Sequence, residues 1–173
     1  MKRLLLLPFL LLAGLTVFAG TITVKNIEEL LQADKKAQPG DLILLADGEW
    51  KNVEIKLTSK GTKEKPITYS AQMAGKVLIT GHSFLKIGGD YIVVKGLSFQ
   101  NGYAGSNAVI DFRINKNALA NNCRVTECAI LDFNNAKRMD ENYWISFYGK
   151  NNRLDHNTFQ GKMNMGVMIA VIL

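Results

Sequence analysis

Apolar positions recur along this chain with a period much longer than that of any helix or strand. Residues 92–99, 123–130 and 152–159 superpose so that one apolar column runs through Val94, Val125 and Leu154. A second runs through Phe99, Ile130 and Phe159. Successive members are 31 and 29 residues apart. A fixed spacing of this size, carried by short β-type runs, predicts a solenoid, because a single unit cannot bury its apolar face until its neighbours stack on it.

Short runs rich in β-branched and apolar residues predict strands at 42–45, 53–57, 67–69, 77–80, 91–94, 109–112, 125–130, 145–148, 154–159 and 167–173. Turn residues separate them, among them Asp47-Gly48, Lys60-Gly61, Gly88-Gly89-Asp90, Asn101-Gly102 and Gly149-Lys150. Such spacing also suits a sandwich or barrel. The in-register repeat, one early helix and asparagine pairs before the repeat strands (Asn121-Asn122 and Asn151-Asn152) favour an all-β right-handed parallel β-helix of about five coils. The helix is predicted over 27–37. Asn26 caps it, Glu29 stands at the capping-box position and Pro39-Gly40 ends it. At the N-terminal end of a solenoid such a helix covers strand edges and interior that the first coil would expose.

The first 19 residues read as a signal peptide: Lys2 and Arg3, an apolar stretch from Leu4 to Val17, and small residues that place cleavage before Gly20. The stretch is shorter than the roughly 20 residues of a membrane span. A periplasmic or secreted protein is expected, without stable membrane association after cleavage; an uncleaved anchor is the competing reading. Losing Lys2 and Arg3 lowers the formal net charge from +6 to +4. That modest excess suits an acidic polysaccharide as well as an ordinary solvated surface, and no nucleic-acid partner is expected. Cys123 and Cys128 fall in one extended run. Five residues of strand span roughly 16 Å, too far for a disulfide, so both are expected to be small buried stacking residues. The final run, 167–173, ends without a turn, and residues 20–173 therefore read as the N-terminal part of a β-helix domain whose next coil is missing.

Two stretches carry a family resemblance. The first is Gly61-Thr62-Lys63-Glu64-Lys65-Pro66-Ile67-Thr68 with Val77–Gly81 and Tyr91–Gly102. The second, denser, runs from Arg138-Met139-Asp140-Glu141-Asn142-Tyr143-Trp144 through Leu154-Asp155-His156-Asn157 to Gly161-Lys162 and Asn164-Met165-Gly166. The chain resembles polysaccharide lyase family 6, which contains alginate lyases and chondroitinase B and has a pectate-lyase-like solenoid. The resemblance implies β-elimination on a uronate-containing chain. A calcium ion offsets the uronate carboxylate, a lysine takes the C5 proton and an arginine assists departure of the 4-linked oxygen. It implies an anionic polysaccharide as partner, alginate ahead of dermatan or chondroitin sulfate, and calcium as cofactor of the complete enzyme. The family's asparagine, paired glutamates, lysine and arginine are not found here. No catalytic and no metal residue is therefore assigned, and the chain alone is expected to be inactive.

Lys137, Arg138, Tyr143 and Lys162 are the candidate substrate-binding residues, since cations suit carboxylates and an aromatic ring suits a sugar face. Tyr143, like Trp144, could equally pack against the core, and Lys162 could simply solvate a turn. Asp155-His156 is read as structural, His82 as a turn residue, and Asp140-Glu141 as carboxylates that fix loop geometry. No serine sits in a nucleophile turn. A hydrolase on the same fold would need clustered aspartates that the chain lacks. The alternative to a lyase is a non-catalytic carbohydrate-binding or structural β-helix module.

Overall fold

A computed structural model describes residues 19–172. The basic start and apolar stretch that read as a signal peptide lie outside the described residues. The chain winds into a right-handed parallel β-helix of about five coils, the hand expected of parallel crossovers. The first sheet runs Thr21–Val24, Leu42–Leu45, Ile67–Ala71, Ile92–Lys95, Arg124–Thr126, Arg153–Asp155. The second runs Gly48–Lys51, Val77–His82, Leu97–Tyr103, Ala129–Leu131, Thr158–Gln160. The third runs Glu54–Leu57, Phe84–Ile87, Ile110–Asp111, Ile145–Phe147, Ile169–Val171. Each coil contributes one strand to each sheet, so inward side chains stack along the axis and form a single core.

Both apolar columns are realised in register. Val94 pairs with Val125 and Val125 with Leu154; Phe99 pairs with Ile130 and Ile130 with Phe159. The first two members of each column are fully buried, and Leu154 and Phe159 pack against the core while partly exposed.

The runs at 125–130 and 154–159 are not single strands. Glu127 (φ 55°) and His156 (φ 55°) lie in the left-handed region, in register with Gly96 (φ 79°) one coil earlier. A single left-handed residue turns the chain from the first sheet to the second in each of these coils. The bend removes the linear-span argument against a disulfide, yet both cysteines are free and buried. Burial pushes the Cys123 thiol up to about 11 and the Cys128 thiol up to about 12. The thiols donate to neighbouring carbonyls, Cys123 to Gly89 at 3.4 Å and Cys128 to Thr126 at 3.4 Å.

The helix spans Ile27–Lys36. The Asn26 side chain accepts the Glu29 N–H at 2.8 Å, and Glu29 reaches back to the N–H of Lys25, one residue before the cap. Leu30 and Ala33 face the interior. Asp34, at helical spacing from Ile27 and Leu30 on the same face, is buried as well. It accepts hydrogen bonds from the Thr58 and Ser59 backbone, the Thr58 hydroxyl and the Tyr69 hydroxyl, tying the cap to the first coils. Burial, with the Asp34 carboxylate alongside, pushes the Tyr69 phenol far above its ordinary range.

Strands Thr21–Val24, Gly48–Lys51 and Phe84–Ile87 were not expected from the sequence, and neither was the short antiparallel pair Arg113–Asn115 with Ala118–Leu119. The first three are strands because a neighbouring coil supplies backbone partners in register. Local composition does not show that.

Candidate functional site

The three longest connections from the second sheet to the third are 104–109, 132–144 and 161–168. They stack on one side of the solenoid, and asparagine side chains hold them in place. Asn164 accepts the Asn135 N–H at 2.7 Å and donates to the Asn135 carbonyl at 3.0 Å. Asn135 repeats the arrangement one coil earlier, accepting the Gly105 N–H at 3.0 Å and donating to the Gly105 carbonyl at 2.8 Å. Asn142 donates to the Asn107 carbonyl at 2.7 Å, which joins the second loop to the first. Amides that bracket a neighbour's backbone satisfy loop groups a sheet cannot reach.

Two grooves flank these loops. One, of about 620 Å³, is bounded by Tyr103, Gly105, Asn135, Lys137, Asp140 and Glu141. Tyr103 is 44% exposed and stacks on His82 with ring centroids 5.0 Å apart. His82 ends the strand Val77–His82 and backs this aromatic surface; it is not a free turn residue.

The other groove, of about 420 Å³, lies over the outer face of the third sheet. Lys86, Asp111 and Ser146 occupy paired positions on successive strands, and Arg113, Lys116, Tyr143 and Tyr148 complete the walls. The Arg113 guanidinium lies 3.7 Å from the centre of the Tyr148 ring, a cation–π contact. Its Nε is 3.7 Å from Asp111 Oδ2, longer than a charge-assisted hydrogen bond. Burial pushes the Asp111 carboxyl above its ordinary range, and Arg113 and Lys86 oppose that shift. Asp111 Oδ1 is buried without a partner among the described residues.

The four candidate binding residues do not converge. Lys137 is exposed on the first groove. Tyr143 lines the second and donates its hydroxyl to Glu141 at 2.7 Å, a bond that raises its phenol pKa. Arg138 is exposed and lines neither groove, while its carbonyl accepts the Met165 N–H at 2.9 Å. The Lys162 ammonium donates to the Asn164 carbonyl at 2.7 Å, and burial lowers its pKa, so it holds the third loop. Trp144 is wholly buried, with its indole N–H on the Phe133 carbonyl. The Glu141 carboxylate does shape the loop by accepting the Tyr143 hydroxyl, whereas Asp140 contributes its backbone N–H, on the Lys137 carbonyl. His156 bonds Asp155, which Arg124 and Arg153 also hold, at a chain corner.

Sequence reasoning missed Lys86, Asp111, Arg113, Lys116 and Tyr148. Period-two alternation in Ile110-Asp111-Phe112-Arg113 signals Asp111 and Arg113 on one face, and Asn115-Lys116-Asn117 signals a turn beside them. No group of three or more His, Cys, Asp or Glu side chains among the described residues could hold a metal ion.

The sequence pattern of the Chondroitinase B family matches residues 24–173. Among solved structures, the chain is similar to the family 6 alginate lyase AlyGC, at 44% identity and a TM-score of 0.87, over 88% of this chain and 21% of that one. It is similar to the family 6 lyase Pedsa3628 from Pseudopedobacter saltans, at 39% identity and a TM-score of 0.81, over 87% of this chain and 34% of that one. A mannuronic acid specific family 6 lyase from human gut microbiota matches at 33% identity and a TM-score of 0.78, over 88% of this chain and 36% of that one. No match is found among curated proteins. The chain thus spans between 21% and 36% of the length of these structural relatives. A family pattern running from Val24 to the last residue, on the β-helix those relatives share, places the chain in the Chondroitinase B family, within polysaccharide lyase family 6.

Proposed function

We propose that the chain is the N-terminal part of a secreted or periplasmic polysaccharide lyase that cleaves a uronate-containing polysaccharide, alginate ahead of dermatan or chondroitin sulfate. The observation that carries this reading is the 44% identity to an alginate lyase across 88% of the chain. The reaction is a β-elimination. A base takes the C5 proton, the C4–O bond breaks, a C4–C5 double bond forms and the departing oxygen gains a proton. This segment supplies a rigid stack of loops with two grooves that carry cations and tyrosines. Calcium belongs to the expectation for the complete enzyme; among the described residues no group of three or more His, Cys, Asp or Glu could hold it, and in this reading other coils supply it together with the base. The chain by itself is then inactive.

The test is to express the chain alone and, separately, a longer product of the same reading frame. Each is incubated with alginate and with dermatan sulfate, with calcium or with a chelator, while the ultraviolet absorbance of the unsaturated uronate is followed. Activity in the longer product alone, stronger on alginate and lost with chelator, is expected. No absorbance from the longer product on either polymer overturns the lyase reading, and calcium-dependent activity from the chain alone overturns its inactivity. Fractionation of the source cells tests export.

A further inference from the structure

We infer that the groove over the third sheet binds one unsulfated hexuronate unit, with a sugar hydroxyl donating to Asp111 and the uronate carboxylate held by Arg113 with Lys116 and Lys86. This rests on the uronate reading above and adds to it a specific site.

Three observations converge. First, Asp111 is only 7% exposed, and its Oδ1 is buried without a donor. Buried polar atoms nearly always have partners, so a buried acceptor without a donor, on a side chain that lines a groove, marks a place for a donor that a ligand entering the groove can bring. A carboxylate side chain that already carries one unmatched oxygen favours a hydroxyl and repels an anion.

Second, Arg113 is stacked on Tyr148 and only loosely paired with an acid, its Nε standing 3.7 Å from Asp111 Oδ2. Its guanidinium lies on the ring at 3.7 Å, and no side-chain hydrogen bond engages it among the described residues. The planar fork is oriented in advance while its N–H donors stay available, which suits a carboxylate. Lys86, at 5.1 Å from the Phe84 ring, and Lys116, at the tip of the short antiparallel pair, leave three cations around one carboxylate.

Third, the cavity is built by a departure from the solenoid pattern. Arg113–Asn115 and Ala118–Leu119 pair antiparallel and rise beside the parallel third sheet. The volume of about 420 Å³ falls within the range of small-molecule sites. Tyr143 and Tyr148 on its walls offer apolar ring surface to a sugar.

The experiment measures kcat and KM of the complete lyase on an unsulfated hexuronate tetrasaccharide, and titrates that oligosaccharide calorimetrically into the protein. Arg113→Gln and Lys116→Gln alter exposed side chains, and Asp111→Asn keeps the shape of the buried one. Loss of a charge-assisted hydrogen bond in Arg113→Gln should raise KM and Kd by roughly tenfold. Lys116→Gln should raise them less, and kcat should stay within about twofold in both because binding alone is lost. Asp111→Asn should weaken binding of the uronate tetrasaccharide without creating binding of a neutral glucan tetrasaccharide. If Asp111→Asn fails to fold, judged by its melting curve, Arg113→Gln decides the matter. Cleavage by the unmodified enzyme with KM and Kd unchanged in the folded variants overturns this site and leaves the lyase reading standing. An unmodified protein that cleaves no uronate polymer overturns the lyase reading. Calorimetric binding that weakens in Arg113→Gln would then still support the site, and absence of binding would overturn it.

Discussion

Asn157 occupies, one coil later, the position that Cys128 holds, and its side-chain oxygen accepts the Cys128 N–H at 2.9 Å. The same amide donates to the carbonyls of Val125 and Asp155 at 3.0 and 2.8 Å. Asn152 stands in the same relation to Cys123, accepting its N–H at 2.9 Å. A buried corner therefore alternates between a thiol that needs little and an amide that serves three backbone groups. Asn157→Ala would strand one donor and two acceptors at the corner. A loss of about 2 kcal/mol or more is expected from chemical denaturation; a loss under about 0.5 kcal/mol would show that solvent replaces the amide.

Gly149 and Gly75 have nearly equal backbone angles, φ 75° and φ 74°, but different surroundings. A Cβ at Gly149 would come within 1.9 Å of the Ala120 carbonyl oxygen, whereas nothing lies within 4 Å at Gly75. Gly149→Ala should cost about 2–4 kcal/mol from left-handed strain and overpacking together. Gly75→Ala should cost no more than about 1 kcal/mol, since reduced unfolded-chain freedom offsets part of the strain. Melting of both variants against the unmodified protein checks the difference.

Val125 is the fully buried centre of its column, between Val94 and Leu154. Val125→Asp loses an apolar side chain and buries a carboxylate without a partner, so a cost of about 4 kcal/mol or more is expected. Lys150→Ala, at an exposed turn, should cost less than about 0.5 kcal/mol. Leu154→Asp should fall between them where Leu154 is partly exposed. Urea titration of the three variants gives the ranking.

Asp155 is held by hydrogen bonds from Arg124 first, and also from His156 and Arg153, which keep its carboxyl below the ordinary carboxylate range. A pKa depressed by folding stabilises the folded chain above the unfolded value of about 3.9, and that contribution disappears as pH falls through the folded value. The melting temperature should therefore drop between about pH 4 and the lowest accessible pH. Asp155→Asn should melt lower at neutral pH and show a shallower acid slope. Parallel slopes in the two proteins would remove Asp155 from the acid response.

The sequence by itself determined the coil. Inward positions such as Val94, Val125 and Leu154 must be apolar in every turn, so the stacking period is written into the order of residues, and Asn26 and Glu29 mark the capping helix locally. Membership of the lyase family was legible as a resemblance in the stretch from Arg138 to Gly166, where the structure shows Asn142 and Asn164 bonding the backbone of neighbouring loops. The site was less legible. Lys137 and Tyr143 do reach grooves, but different ones, and Lys162 spends its charge on backbone carbonyls. Only the tertiary structure decided that Asp111 and Arg113 share a pocket with Lys86, one coil earlier, and with Tyr148, one coil later. Lateral neighbours in a β-helix are about a coil apart in sequence. Which outward side chains meet is set by register and by where a short hairpin rises, and alternation along a single strand does not encode either.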